Sequence, residues 1–106
     1  MSDLTKKHCV PCENGEGKLE INKIKEYMLL VENWFLVGDT IRKDYKFKNF
    51  KESMSFVNKV ADIAEEEGHH PDLSISYDKV NVSLTTHAAK GLTENDFVMA
   101  AKINAI

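Results

Sequence analysis

Long apolar runs are missing from this chain: nothing approaches the roughly 18 residues that a membrane-spanning helix needs, and no charged-then-apolar signal segment opens it. A membrane role is therefore not expected, and the expected compartment is the cytoplasm. Basic excess is missing too. The 14 Lys and Arg stand against 17 Asp and Glu, a formal charge of -3, and the lysines are scattered, which is not the clustered profile of a nucleic-acid binder. Cysteine is scarce, and two residues are too few for the disulfide framework of a small secreted domain. With 106 residues the chain can enclose one core but not two.

Residues 1–18 lack any apolar period. They hold His8-Cys9-Val10-Pro11-Cys12 and a polar, glycine-punctuated run, Glu13 to Gly17, and read as a mobile, dispensable tail ahead of a single domain over 19–106. The C-x-x-C pair has the spacing of half a zinc site, but no second cysteine pair follows and His8 brings the donors to three. No strand precedes the pair, as a thioredoxin-like site would require. Two readings stay open: thiols with no catalytic part, and a metal shared between subunits.

What is present beyond residue 18 alternates between two periods. Ile21, Ile24, Met28 and Val31 recur at helical spacing and predict an amphipathic helix over 20–31. Trp34 to Val37, a Gly38-Asp39 turn, and Ile41, Tyr45 and Phe47 at period two predict a hairpin. Trp34 is either core or a stacking platform for a planar ligand. Asn49 is a suitable N-cap for a helix whose stripe is Phe50, Met54, Val57, Val60, Ala61 and Ala64; Gly68 supplies its C-cap and Pro71 prevents continuation. Leu73, Ile75 and Tyr77 alternate, Asp78-Lys79 is the expected turn, and Val80, Val82 and Leu84 complete a second hairpin. Thr93 and Asp96 form a capping-box pattern before the last helix, carrying Phe97, Ala100 and Ala101. The expected fold is α+β: a four-stranded antiparallel sheet with helices packed on one face, in the order helix-hairpin-helix-hairpin-helix.

Three of the four histidines, His69, His70 and His87, fall at the ends of these elements, where a hairpin of ordinary length brings them together. Glu65 to Glu67 sit beside them at the negative end of a helix dipole, an unfavourable place for carboxylates that marks either a functional site or a solvated helix end. Imidazole, with an ordinary pKa near 6.5, can hold one ring as acid and another as base near neutral pH. Structural, catalytic and metal-binding roles remain open on residue type alone, the metal role being the weakest because adjacent histidines diverge and no H-E-x-x-H supports it.

The spaced pattern Glu65-x₃-His69-His70-Pro71-x₅-Tyr77-x₉-His87-x₈-Asp96 resembles the signature of the pterin-4a-carbinolamine dehydratases, and the similarity runs from about residue 20 to the C-terminus, through the Trp34 hairpin, Thr85-Thr86-His87 and Gly91-Leu92-Thr93. That resemblance implies an α+β sandwich assembled as a homodimer or homotetramer. It implies dehydration of 4a-hydroxytetrahydrobiopterin, or a related pterin, to the quinonoid dihydropterin, with no metal or redox cofactor and no nucleic-acid or membrane partner. His69 and His87 would be the acid/base pair and His70 would orient the pterin. Pro71 and the stretch Thr86, His87, Ala88 and Ala89 would line it, with Glu65 and Asp96 supporting the histidines or ring nitrogens. Ala88-Ala89 departs from the polar or acidic residue common after this histidine, so only backbone contacts carry over there. Two other uses of the family's fold compete: a dimerisation module for a regulatory protein, and a pterin-binding domain in molybdopterin metabolism.

Overall fold

The computed structural model describes residues 4–9 and 17–106. In chain order it has α1 (Ile21–Met28), β1 (Phe35–Val37), β2 (Thr40–Lys46), α2 (Phe50–Glu67), β3 (Asp72–Ser76), β4 (Lys79–Leu84) and α3 (Glu94–Asn104), with short 3₁₀ turns at Leu4–Lys6 and His87–Ala89. The four strands form one antiparallel sheet in the order β1-β2-β4-β3. Each hairpin contributes one central and one edge strand, and α2 spans the gap between them. The fold is therefore the α+β arrangement that the alternating periods predict.

Register explains the core. Ile41 pairs with Leu84 and Tyr45 with Val80, while Leu73 pairs with Val82, so one face of the sheet gathers the apolar side chains. Ile41, Val80, Val82 and Leu84 are essentially inaccessible. The other face carries Arg42, Asp44, Asn81, Ser83 and Ser74, consistent with the period of two along each strand. α3 lies in the middle of the packing: Phe97, Val98, Met99 and Ala100 are all buried, so it is enclosed around most of its circumference rather than along one stripe. Tyr27 of α1 stacks on Phe97 at 5.1 Å between centroids.

α2 begins and ends where its caps dictate. Asn49 Oδ1 accepts the Glu52 N–H at 2.9 Å, satisfying one orphan donor of the first turn. Gly68 takes φ +67° and donates to the Ala64 carbonyl at 2.9 Å, closing the helix in the left-handed conformation that glycine reaches without a Cβ penalty. The buried stripe differs from the expected one: Ser53, Phe56, Val57, Val60 and Ala64 face inward, whereas Phe50 and Ala61 are exposed. Phe56 takes the place anticipated for Phe50 because Tyr45 and Phe47 reach it, the Tyr45 centroid at 4.3 Å and that of Phe47 at 5.2 Å.

Other expectations are corrected locally. α1 stops at Met28, and Val31 is buried from the loop beyond it. The β3–β4 turn is Tyr77-Asp78, not Asp78-Lys79, with Ser76 opposite Lys79 and Tyr77 at φ +53°. Alternation fixes which side chains share a face, but a slip of two residues preserves that face, so the pattern leaves the turn's place open. Trp34 is core, 5% exposed, and its Nε1 donates to Asn104 Oδ1 at 3.0 Å. The described part of the 1–18 segment is docked, contrary to the expectation that it has nothing to bury: Leu4 is 3% exposed and Lys102 Nζ donates to the Thr5 carbonyl at 2.9 Å. The rest of that expectation, including Cys12, falls on residues outside those described.

Candidate active site

A cavity of about 530 Å³ opens where the C-terminal end of α2 meets the loop after β4, lined chiefly by His69, His70, Thr86, His87, Ala88 and Cys9. Two short-range decisions in the sequence create it. Gly68 ends α2 abruptly, so His69 and His70 lie beyond the helix, in chain that belongs to no helix or strand, rather than as helical side chains on a common surface. At the other wall β4 ends at Leu84, and an isolated bridge between Thr86 and Gly91 closes a loop in which His87 opens a 3₁₀ turn. His87 was expected to end the strand; the bridge instead bends the chain and leaves this side chain exposed.

His69 is the most constrained of the three histidines. Its Nε2 lies 2.7 Å from Asp96 Oδ1, its side chain is 13% exposed and that of Asp96 is fully buried. The other oxygen of Asp96 accepts the Thr86 hydroxyl at 2.9 Å and the Thr93 N–H at 3.0 Å. Thr86 Oγ1 is also 2.8 Å from Thr93 Oγ1. A carboxylate cannot donate, so Thr86 gives its single proton to Asp96 and Thr93 gives its own to Thr86. The same logic puts the His69 proton on Nε2, facing Asp96, and leaves Nδ1 as the ring's acceptor. Asp96 is thus both the N3 residue of the α3 capping box and the partner that fixes a histidine tautomer. Burying this carboxylate is tolerable because donors surround it.

The remaining residues divide clearly. His70 Nε2 pairs with Glu65 Oε2 at the exposed rim, where the two side chains are 60% and 78% accessible; such a pair orients more than it stabilises. Among the described residues the His87 ring makes no hydrogen bond. Thr86 and Ala88 line the cavity. Glu65, Pro71, Ala89 and Asp96 do not line it: Glu65 stands behind His70, Asp96 behind His69, and Ala89 is packed away at 5% exposure. Sequence reasoning missed Cys9, Glu67, Gly68, Thr85 and Asn95 as lining residues. Only the acidic run at the negative end of α2 hinted at one of them, Glu67. Among the described residues, His, Cys, Asp and Glu form no group of three or more that could hold a metal ion.

Chemically, the cavity offers an imidazole with a fixed acceptor nitrogen, a second imidazole at the opposite loop and a third at the rim. That set is able to take a proton from one atom of a bound molecule and deliver one to another.

Comparison with known proteins gives the chain's family. Residues 17–106 match the family model described as pterin 4 alpha carbinolamine dehydratase. A protein of Nitrosospira multiformis is 45% identical over 106 residues, covering all of this chain and 94% of its own length. One from Alkaliphilus metalliredigens is 44% identical, covering 98% and 96%. Both carry the provisional name pterin-4-alpha-carbinolamine dehydratase. A Brucella melitensis crystal structure described as a transcriptional coactivator/pterin dehydratase superposes with a TM-score of 0.80 at 34% identity, covering 84% of this chain and 97% of that one. A pterin dehydratase-like RuBisCO assembly factor of the alpha-carboxysome shares the fold at a TM-score of 0.60 and 23% identity, over 70% of this chain and 88% of its own. By sequence and by fold, the chain belongs to the pterin 4 alpha carbinolamine dehydratase family.

Proposed function

We propose that this protein dehydrates pterin-4a-carbinolamine, 4a-hydroxytetrahydrobiopterin or a close relative, to the quinonoid dihydropterin and water, in the recycling of tetrahydrobiopterin. The observation that carries the reading is the convergence of His69, His70 and His87 on one cavity, with His69 pinned by the buried Asp96. The reaction removes the proton from N5 and breaks the bond between C4a and its hydroxyl. The electrons of the N5–H bond become the C4a=N5 double bond, and the hydroxyl leaves as water once it has received a proton. His69 is the base, since its Nε2–H is committed to Asp96 and Nδ1 is left to accept. Asp96 stabilises the positive charge that His69 then carries. His87, whose ring has no protein partner among the described residues, is the acid in its protonated form. His70, held by Glu65, orients the ring system. Only proton transfers are involved, and the side chains described are sufficient for them.

Purified protein tests the reading directly: quinonoid dihydropterin should form from enzymatically generated carbinolamine faster than in a protein-free blank. A rate equal to the blank contradicts it.

A second reading, a module that binds another protein, draws on exposed apolar residues at the sheet edge. Phe35, Leu36 and Val37 of β1 are 61%, 39% and 49% accessible, and an unpaired edge of this kind is a template for association. The name of the Brucella melitensis protein includes a coactivator role. A homodimer or homotetramer that covers β1 accounts for the same exposure while leaving the cavity in use. No helix among the described residues is long and apolar enough to cross a membrane.

A further inference from the structure

Glu67 and Cys9 line the same cavity as the histidines but have no part in the proton transfers. Glu67 ends α2, where the helix dipole disfavours a carboxylate, and yet its side chain is only 2% exposed. Both oxygens are occupied. Oε1 accepts the Cys9 N–H at 2.8 Å, and Oε2 is 2.8 Å from His8 Nδ1 and 3.5 Å from Lys102 Nζ. Lys102 also donates to the Thr5 carbonyl at 2.9 Å, and Leu4 is inserted into the core. The segment Leu4–Cys9 is therefore fastened at its apolar start, by Lys102 at Thr5 and by Glu67 at its end. Cys9 Sγ reaches the Asn95 carbonyl at 3.6 Å, which places its small side chain against a residue that also lines the cavity.

We propose that Leu4–Cys9 is a wall of the substrate site, with Glu67 as the positioning residue that holds it and Cys9 as the side chain that limits how bulky a pterin the cavity admits. The inference rests on the dehydratase reading and deepens it. A carboxylate buried at this helix end keeps its place only while its donors are present, and two of the three come from the segment itself. Glu67 is two residues from His69 in sequence, so its removal disturbs the wall without removing a proton-transfer group.

The test uses the full chain carrying Cys9→Phe, Cys9→Gly or Glu67→Gln. Turnover of the carbinolamine and equilibrium binding of 7,8-dihydrobiopterin are measured beside thermal unfolding. Added bulk in Cys9→Phe should raise both KM and Kd by roughly tenfold or more, the loss appearing in binding rather than kcat. Cys9→Gly adds no bulk and should narrow the difference in Kd between a 6-methyl dihydropterin and dihydrobiopterin. Glu67→Gln should raise KM by about three- to tenfold through loss of charge-assisted hydrogen bonds. If folded Cys9→Phe and Cys9→Gly both bind the two pterins as the parent does, the wall lies outside the substrate site. A Glu67→Gln protein that melts earlier but keeps the parental KM removes the positioning role. If the parent neither binds dihydrobiopterin nor turns over the carbinolamine, the dehydratase reading fails and this inference with it; parental binding with indifferent variants overturns the inference alone.

Discussion

His69 Nε2 lies 2.7 Å from Asp96 Oδ1, a contact that joins residues 27 positions apart and makes one buried carboxylate serve two purposes. Asp96 caps α3 through the Thr93 N–H, and it fixes the tautomer of the histidine that follows the C-cap of α2. Helix capping is local and legible, whereas the histidine contact depends on α2 and α3 packing side by side.

Asp96→Asn should damage both purposes. An amide presents donors where the carboxylate only accepted, so one of Thr86, Thr93 or His69 loses its partner. Stability should fall by about 1–3 kcal/mol, the usual cost of an unsatisfied buried group. Turnover should fall roughly 10–10³-fold as the His69 tautomer is lost. Urea unfolding and kcat measured on the same preparation check this; unchanged kcat beside lower stability leaves Asp96 as a cap alone.

The caps of α2 can be tested independently of chemistry. Gly68 has φ +67° and nothing within 4 Å of a Cβ built on it, so Gly68→Ala should cost about 1–2 kcal/mol from backbone strain rather than from a clash. Asn49→Ala should cost about 1 kcal/mol through the lost Glu52 contact. The sites lie at opposite ends of an 18-residue helix, so the two costs should add in the double variant. A Gly68→Ala protein as stable as the parent in urea contradicts the left-handed cap.

Glu67 gives stability a pH signature. Burial alone raises its pKa, but the Cys9 N–H, His8 and Lys102 outweigh burial and hold it below the ordinary value of 4.5. The unfolded chain therefore binds this proton more readily than the folded one. The stabilisation is fully present above about pH 4.5 and is lost as pH falls toward the lower folded value. Glu94, lowered chiefly by the Tyr27 hydrogen bond, contributes in the same sense. Glu67→Gln should flatten, without abolishing, the fall in melting temperature between about pH 5 and 3. An identical slope in parent and variant would show that Glu67 carries no such linkage.

Association through β1 should be visible in solution. Light scattering should give a dimer or tetramer mass at micromolar concentration, and Phe35→Lys with Leu36→Lys should lower it by charging the exposed edge. A monomer mass for the parent chain removes the proposal.

Much of this architecture was legible because local chemistry wrote it: Asn49 and Gly68 bounded α2, Thr93 and Asp96 opened α3, and the alternation around Val80, Val82 and Leu84 set the buried face of β4. The three histidines could be grouped because all stand at element ends. What stayed hidden was long-range. The segment Leu4–Cys9 has no periodicity of its own, and its burial follows from Lys102 and Glu67, residues brought together only by folding. The partition of site residues into those on the cavity and those behind it was legible only in part: the resemblance set Glu65 and Asp96 beside the histidines, where they stand, but it put Pro71 and Ala89 on the ligand, and they do not line the cavity. Phe50 and Phe56 were exchanged because either fits a helical stripe until Tyr45 and Phe47 choose one.

The most direct measurement of the acid/base account is the pair kcat and KM for His69→Ala, His87→Ala and His70→Ala, each rate corrected for the protein-free reaction. Loss of His69 or His87 should lower kcat by roughly 10²–10⁴ with KM little changed, while His70→Ala should act mainly through KM. Folded variants that all retain the parental kcat, or a parent whose activity chelators abolish, contradict it.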